Sequence, residues 1–137
     1  MDADGQHDPR EIPQFIKVAE EENVGLVVGS RMGNVQNMPR VRKWTNEFTS
    51  WLTGKLARQP IPDSQCGYRL VHRRVLPVLH LTSMRFEADT EMLIQVGRAG
   101  FKIISVPVRT IYEGQPSHIR PWRDALRFVK LLRKYWP

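Results

Sequence analysis

The chain has 137 residues, 41% of them hydrophobic and 26% charged, which is enough for one domain with a core and too few for two. No apolar run approaches the roughly 20 residues that span a bilayer, and no signal-peptide pattern is present. The single cysteine, Cys66, excludes an internal disulfide framework and a cysteine-based zinc site. These features predict a soluble domain in a reducing compartment, the cytoplasm.

The net charge of +7 is unevenly distributed along the chain. Seven acidic and two basic residues lie in positions 1–22, whereas six basic residues and one acidic residue lie in positions 31–58. Five basic residues and one acidic residue follow in positions 121–137. An acidic start beside two basic segments indicates an anionic partner, such as a phosphate group, a lipid headgroup or a nucleic acid.

Helical and strand-like patterns alternate along the chain, which predicts an α/β layer architecture. Gly100 ends one helix, and Pro107 favours an edge strand or a bulge. In chain order we predict a helix over residues 11–22, a buried parallel strand over 24–30, a helix over 39–56, a turn over 59–62, a strand over 65–72, a helix over 86–99, a strand over 101–112 and a helix over 121–136.

Two of these helices show an apolar stripe, the pattern that ordinarily faces a core. In the helix over 39–56 the stripe is Val41, Trp44, Phe48, Trp51 and Leu52, while a different face carries Arg42, Asn46, Thr49 and Thr53. In the last helix the stripe is Trp122, Leu126, Val129, Leu132 and Trp136, beside a basic stripe of Arg123, Arg127, Lys130 and Lys134. This last helix could lie on an anionic membrane or pack on the sheet, and we favour packing, although the two can coexist.

Asp2, Asp4 and Gln6 place hard oxygen ligands close together where a buried strand usually runs out into a loop. Such ligands suit Mg²⁺ or Mn²⁺, and either ion can hold a phosphate group. An EF-hand loop is excluded because its sixth and twelfth positions would be His7 and Pro13. On the residues alone, a solvated turn before a helix capped by Asp8 and begun by Pro9 explains the segment about as well as a metal site does.

Several short motifs follow one another in an informative order. They are DADGQHDP (residues 2–9), VVGSRM (27–32), MPRVRKWTN (38–46), DSQCGYR (63–69), FEADTEML (86–93), VPV (106–108) and a serine-centred loop at Ser117. Their order and spacing resemble family 2 glycosyltransferases of the dolichyl-phosphate mannosyltransferase-like branch, beginning at the DxD motif. The resemblance covers only the catalytic and acceptor half of such a domain.

The resemblance implies a partial family 2 catalytic domain over residues 1–137, running from the DxD motif to the last amphipathic helix. Its expected fold is a GT-A-like mixed sheet flanked by helices, without the N-terminal nucleotide-binding half. Because sheet strands would be missing, we expect this chain by itself to be marginally stable and to have little or no transferase activity.

The implied reaction transfers a sugar with inversion from a nucleotide-diphosphate sugar to an acceptor, a polyprenyl phosphate in preference to a saccharide hydroxyl. By resemblance, Asp2, Asp4 and Gln6 would hold Mg²⁺ or Mn²⁺ on the diphosphate, and Asp4 would belong to the catalytic centre. The acceptor phosphate would be held by Arg31, Arg42 and Asn46. Ser117 and His118 match the loop assigned to the donor diphosphate, where many relatives carry Ser-Lys.

A hydroxyl acceptor would also require a general base, for which the preferred candidate is Glu91 and the second is Asp89. The alternative for at least one of Glu87, Asp89 and Glu91 is a solvated acidic helix face. Cys66 replaces the serine of the family segment, and packing explains it better than a reactive thiol does.

A different class of function remains as the alternative, a non-catalytic basic module that binds nucleic acid or a partner protein. Basic charge alone gives only non-specific, salt-sensitive nucleic-acid binding, and no nucleic-acid-binding motif is present. Without metal, Asp2 and Asp4 would repel a phosphate backbone, so we do not expect nucleic acid as the partner. We expect instead a nucleotide-sugar donor, a lipid-linked or saccharide acceptor, and peripheral attachment at the cytoplasmic face of a membrane.

Overall fold

The computed structural model describes residues 7–33, 40–83, 86–109 and 121–136. Helices and strands alternate within these ranges, which confirms the predicted α/β class. In chain order the elements are a 3-10 turn at Pro9–Glu11, α1 (Ile12–Ala19), β1 (Val24–Ser30), α2 (Arg40–Ala57), β2 (Arg69–Val71), a 3-10 helix at Arg73–Val78, α3 (Phe86–Arg98), β3 (Lys102–Pro107) and α4 (Pro121–Tyr135).

The described strands form a small mixed sheet in the order β2-β1-β3. The central strand β1 pairs antiparallel with β2 and parallel with β3, and every residue of it is buried except the last, Ser30. The parallel register shifts by one residue at Gly25, where a Cβ would lie 2.6 Å from the Cβ of Phe101. Within the described ranges β3 pairs only with β1 and ends at Pro107, as expected of an edge strand.

The predicted ends of the elements are confirmed at several positions. The carboxylate of Asp8 accepts a hydrogen bond from the backbone N–H of Arg10 at 3.0 Å, and Pro9 begins the first turn. Gly100 follows α3 with a φ of 83°, the left-handed conformation that glycine adopts without strain. The strand predicted over 65–72 is shorter: β2 is Arg69–Val71, and single backbone hydrogen bonds that join Tyr68 and His72 to β1 flank it.

The predicted burial of α2 is wrong. Its apolar residues Val41, Trp44, Phe48 and Trp51 are exposed, whereas the buried face is made mostly of small and polar residues, with Leu56 as its one large apolar side chain. Small residues are needed because α2 packs closely on α3, where a Cβ on Gly97 would lie 2.2 Å from the carbonyl oxygen of Ala57.

The predicted packing of α4 is wrong in part. Leu126, Val129 and Trp136 are exposed, while Leu131, which the predicted stripe omitted, is buried. Polar contacts of the last helical turn to α3 fix the rotation of the helix, as described below. The side chains of residues 121–125, including Trp122 and Arg123, lie outside the described part. No helix among the described residues is both long enough and apolar enough to cross a bilayer.

Candidate functional site

The parallel strands β1 and β3 end at the same edge of the sheet, the usual place for a ligand in an open α/β sheet. An open cleft of about 700 Å³ lies there, and its lining includes Asp8, Arg10, Ser30, Gly33 and Arg109. The hydroxyl of Tyr68 donates to the carbonyl oxygen of Asp8 at 2.9 Å. This bond fixes, at the cleft, the chain that directly follows the Asp2–Gln6 segment.

Arg31, the first residue after β1, forms a buried ion pair with Asp63. Its Nε and Nη2 donate to the two carboxylate oxygens at 2.8 and 3.0 Å, and its backbone N–H donates at 3.1 Å. Nδ2 of Asn46, on the inner face of α2, donates to the same carboxylate at 2.9 Å. Two of the three residues expected to hold the acceptor phosphate are therefore brought together by Asp63.

Asp63 is fully buried, and its side chain also accepts from the backbone N–H of Gln65 at 3.2 Å. Burial by itself would raise the pKa of this carboxyl, but the hydrogen bonds and charge of Arg31 outweigh burial and lower the pKa. Asp63 is therefore ionised at neutral pH, and the pair is close to neutral overall.

The third expected phosphate ligand, Arg42, is exposed on α2 one helical turn before Asn46. Within the described part of the chain its guanidinium makes no hydrogen bond or ion pair, which leaves its charge available at the surface. Arg42 and Asn46 share one side of α2, so the buried cluster and the exposed cation lie close along the same helix.

The DSQCGYR segment, residues 63–69, connects the site to the rest of the fold. The guanidinium of Arg69 donates to the carbonyl oxygens of Cys66, Asp89 and Ser64 at 2.7 to 2.9 Å and pairs with the Asp89 carboxylate at 3.1 Å. The ring of Tyr68 stacks on Phe15 with centroids 4.4 Å apart. These contacts hold residues 64–67 away from the ladder with β1, so the paired strand β2 begins only at Arg69.

Cys66 within this segment is fully buried in the core. Burial raises the pKa of its thiol, so the thiolate is disfavoured at neutral pH. A Cβ on Gly29 of β1 would lie 3.1 Å from its sulfur, which shows how closely the cysteine is packed. The prediction that Cys66 is a packing residue is confirmed.

Glu91, the preferred candidate base, is fully buried on α3. Lys134 Nζ, Tyr135 Oη and Thr82 Oγ1 donate to its Oε1 at 2.6, 2.9 and 3.0 Å. The backbone N–H groups of Thr82 and Ser83 donate to Oε2 at 2.9 and 2.8 Å. This carboxylate therefore joins α3, the chain before it and the end of α4.

Burial would raise the pKa of Glu91, but its hydrogen bonds, that from Lys134 foremost, lower the pKa far below the ordinary value. A base with so low a pKa and no vacant oxygen is poorly suited to take a proton, so the geometry favours a structural role. Asp89, the second candidate, is paired with Arg69 and partly exposed. The solvated-face alternative does not fit Glu87 or Glu91, both of which are buried.

The remaining candidates lie outside the described residues. These are Asp2, Asp4 and Gln6 for the metal, and Ser117 and His118 for the donor diphosphate. Among the residues that the structure does describe, no group of three or more His, Cys, Asp or Glu side chains could hold a metal ion. The metal site and the donor loop therefore stay predictions.

The sequence interpretation missed Asp63, Tyr68 and Arg69 as organising residues. One signal was available, because both Asp63 and Arg69 are charged residues within the quoted DSQCGYR motif. A charged residue next to apolar positions requires a partner, and Arg31 in the preceding motif offers the opposite charge. No comparable signal links Glu91 to Lys134, which lies 43 residues further along the chain.

Among the known proteins to which the chain is similar, two are named as glycosyltransferases of dolichyl phosphate and undecaprenyl phosphate. A UDP-N-acetylglucosamine–dolichyl-phosphate N-acetylglucosaminyltransferase of Methanococcus voltae is 37% identical over 117 residues, covering 82% of this chain and 47% of the relative. An undecaprenyl-phosphate mannosyltransferase of Micrococcus luteus is 27% identical over 114 residues, covering 79% of this chain and 46% of the relative.

An uncharacterized protein of Methanocaldococcus jannaschii is 32% identical over 117 residues, covering 82% of this chain and 48% of the relative. The chain thus spans about half the length of the curated relatives it matches. No protein-family model matches the chain. No solved structure matches it significantly.

Proposed function

We propose that this chain is part of a glycosyltransferase that transfers a sugar from a nucleotide-diphosphate sugar to a polyprenyl phosphate. One observation carries the proposal: Arg31 and Asn46, from two separate motifs, meet at the carboxylate of Asp63 beside the end of β1. The names of the similar proteins supply the class of reaction and of acceptor.

Arg42 and Arg31 have different tasks in this proposal. The charge of Arg31 is largely compensated by Asp63, so the task of Arg31 is to order the end of β1. Arg42 supplies the uncompensated positive charge that attracts a phosphate, as exposed arginines do. Asn46 sets the distance between them, because it belongs to the same helix as Arg42 and is bonded to Asp63.

In the proposed transfer, an acceptor phosphate oxygen forms a bond to the anomeric carbon of the sugar from the face opposite the leaving group. The bond from that carbon to the diphosphate oxygen breaks, and its electron pair leaves with the nucleoside diphosphate. A phosphate acceptor is already an anion at neutral pH, so no general base is required. The structural role of Glu91 is compatible with this chemistry, and Asp89 would be needed only with a hydroxyl acceptor.

A divalent cation held by Asp2, Asp4 and Gln6 would stabilise the charge that develops on the departing diphosphate. We propose Mg²⁺ or Mn²⁺ on the basis of the oxygen ligands in the sequence. The chain that follows these residues is bonded to Tyr68 at the cleft, which supports the cleft as the place where donor and acceptor meet.

Binding of geranyl phosphate, measured by titration calorimetry, tests the acceptor site on this chain. Arg42→Gln should weaken binding about tenfold, the worth of one charge-assisted hydrogen bond to a phosphate. Arg73→Gln, which removes another exposed arginine from a different element, should leave binding unchanged. Equal binding of geraniol and geranyl phosphate, or equal binding by both variants, would contradict the acceptor site.

The basic-module alternative is tested in the same titrations with single-stranded DNA. Mn²⁺ should increase the affinity for UDP or GDP, and Asp4→Asn should abolish the increase, if the chain contributes to a transferase. Tight DNA binding whose affinity is independent of Mn²⁺ and falls steeply with salt concentration would favour the nucleic-acid module instead.

A further inference from the structure

The outer surface of α2 combines large apolar side chains with positive charge. Val41, Trp44, Phe48 and Trp51 are 79%, 76%, 59% and 57% exposed. Their spacing of three, four and three residues places them in one line along the helix. We call these four residues the α2 stripe.

The stripe is not a core face that happens to point outward, because buried polar contacts on the opposite face fix the rotation of α2. There Ser50 Oγ accepts from the backbone N–H of Ser64 at 2.8 Å, and Gln65 donates to Thr49 Oγ1 at 3.0 Å. Thr53 donates to the carbonyl oxygen of Thr49 at 2.7 Å. Rotating the helix would bury four bulky side chains on a face made mostly of small and polar residues, and would strip Ser50 and Thr49 of their partners Ser64 and Gln65.

An apolar trough continues from the end of the stripe. It has a volume of about 520 Å³, is open to solvent, and is lined in part by Trp51, Lys55, Arg58 and Ile61. The ammonium of Lys55 lies 5.8 Å from the centre of the Trp51 ring. The apolar surface of α2 is thus bordered by cations, and residues 40–58 carry five basic residues against one acidic residue, Glu47, which pairs with Lys43 at 3.7 Å.

We propose that the α2 stripe inserts into the interfacial region of an anionic phospholipid membrane. Exposed tryptophans bordered by lysine and arginine suit the boundary between headgroups and acyl chains, where each ring buries apolar surface and keeps its N–H wet. The cations add attraction to anionic lipid within a Debye length of the surface. This inference rests on the proposed function, because a lipid-linked acceptor would require the chain to bind a membrane. It also places Arg42 on the helix that faces the membrane.

Charge favours a membrane over a second copy of this chain. A symmetric dimer through the α2 stripe would bring two identical basic borders together, and like charges held close oppose such an interface. The surface is also distinct from the one that the sequence suggested on the last helix, since Arg133 interrupts the exposed line between Val129 of α4 and Trp136 just after it.

Co-sedimentation of the 137-residue chain with phosphatidylcholine vesicles, with and without phosphatidylglycerol, tests the proposal. The double variant Trp44→Ser/Trp51→Ser should bind anionic vesicles at least tenfold more weakly, because each lost ring removes apolar surface that would otherwise leave water. Trp136→Ser, which removes a similarly exposed tryptophan from the position just after α4, should change binding less than twofold. Circular dichroism verifies that the variants stay folded.

A second measurement uses the unaltered chain and Trp136→Ser, so it does not depend on how the double variant folds. Brominated phosphatidylcholine mixed with phosphatidylglycerol should quench tryptophan fluorescence, and it should quench the Trp136→Ser chain equally. The vesicles contain neither polyprenyl phosphate nor nucleotide sugar. Failure here therefore leaves the proposed transfer untouched, and failure of the geranyl phosphate titration leaves the membrane surface untouched.

Three results would overturn the proposal. The first is absence of vesicle binding, or equal binding with and without phosphatidylglycerol. The second is equal loss of binding in Trp136→Ser and the double variant, which would place the surface elsewhere. The third is a dimer in light scattering that the double variant dissociates, which would assign the stripe to a second copy.

Discussion

Replacing Asp63 by asparagine should destabilise the fold severely although the shape of the side chain is kept. Three donors point at Oδ1, from Arg31, Asn46 and Gln65, and two from Arg31 point at Oδ2. Whichever oxygen becomes an NH₂ group, at least two hydrogen bonds turn into donor–donor contacts. The guanidinium of Arg31, only 12% exposed, also loses its counter-charge.

Removing one partner of a buried ion pair costs about 3–5 kcal/mol, and we expect about 3 kcal/mol because water still reaches Arg31. With a slope of roughly 1.5 kcal/mol per molar urea, the unfolding midpoint should fall by about 2 M. Circular dichroism during urea titration measures it. A chain that is only marginally stable would then be unfolded in buffer.

The matched control is Asp8→Asn, which removes the carboxylate of a bidentate pair of similar geometry with Arg10. That pair lies at the surface and asparagine still caps the helix, so the midpoint should not move measurably. Equal midpoints for Asp63→Asn and Asp8→Asn would refute the reasoning. So would full additivity of Asp63→Asn with Arg31→Gln, because coupled partners give a double variant less destabilised than the sum.

Two further substitutions test the packing around α3. Glu91→Gln should cost about 2–3 kcal/mol at neutral pH and should flatten acid unfolding. The lowered pKa of Glu91 contributes stability that is present above its unfolded value near 4.5 and is lost as the pH falls below it; an unchanged pH profile in urea titrations would contradict this. Gly97→Ala should cost about 3 kcal/mol, since its Cβ would lie 2.2 Å from the Ala57 oxygen. Gly33→Ala, with no atom within 4 Å of the new Cβ, is its control, and similar melting temperatures for the two would disprove the close packing.

The parts of the fold that local patterns determine could be predicted from the sequence. The run VGLVVGS becomes β1 with its predicted bounds because a continuous apolar segment ending in Gly-Ser suits a central strand. Asp8 and Gly100 act as the predicted cap and stop because each needs only its own neighbours. α2 was recognised as a helix for the same reason, since periodicity is a local property.

The burial of α2 could not be predicted because its partners lie elsewhere in the chain. Asn46 and Ser50 are buried by bonding to Asp63 and Ser64, 17 and 14 residues later. Hydrophobic periodicity alone ranks them below Trp44 as core residues. The role of Glu91 was hidden in the same way by Lys134, and Arg42 and Asp89 keep the roles that resemblance suggested, which the structure does not test.

The pair between Arg31 and Asp63 has a consequence for how the chain assembles. These residues lie 32 positions apart, and the segment between them contains α2. If the sheet closed over Asp63 before Arg31 arrived, a bare carboxylate would be trapped out of water at a large cost in free energy. The segment between Arg31 and Asp63 and the sheet should therefore form together in one cooperative step. Amides in β1 and in the buried half of α2 should then exchange hydrogen at a common rate.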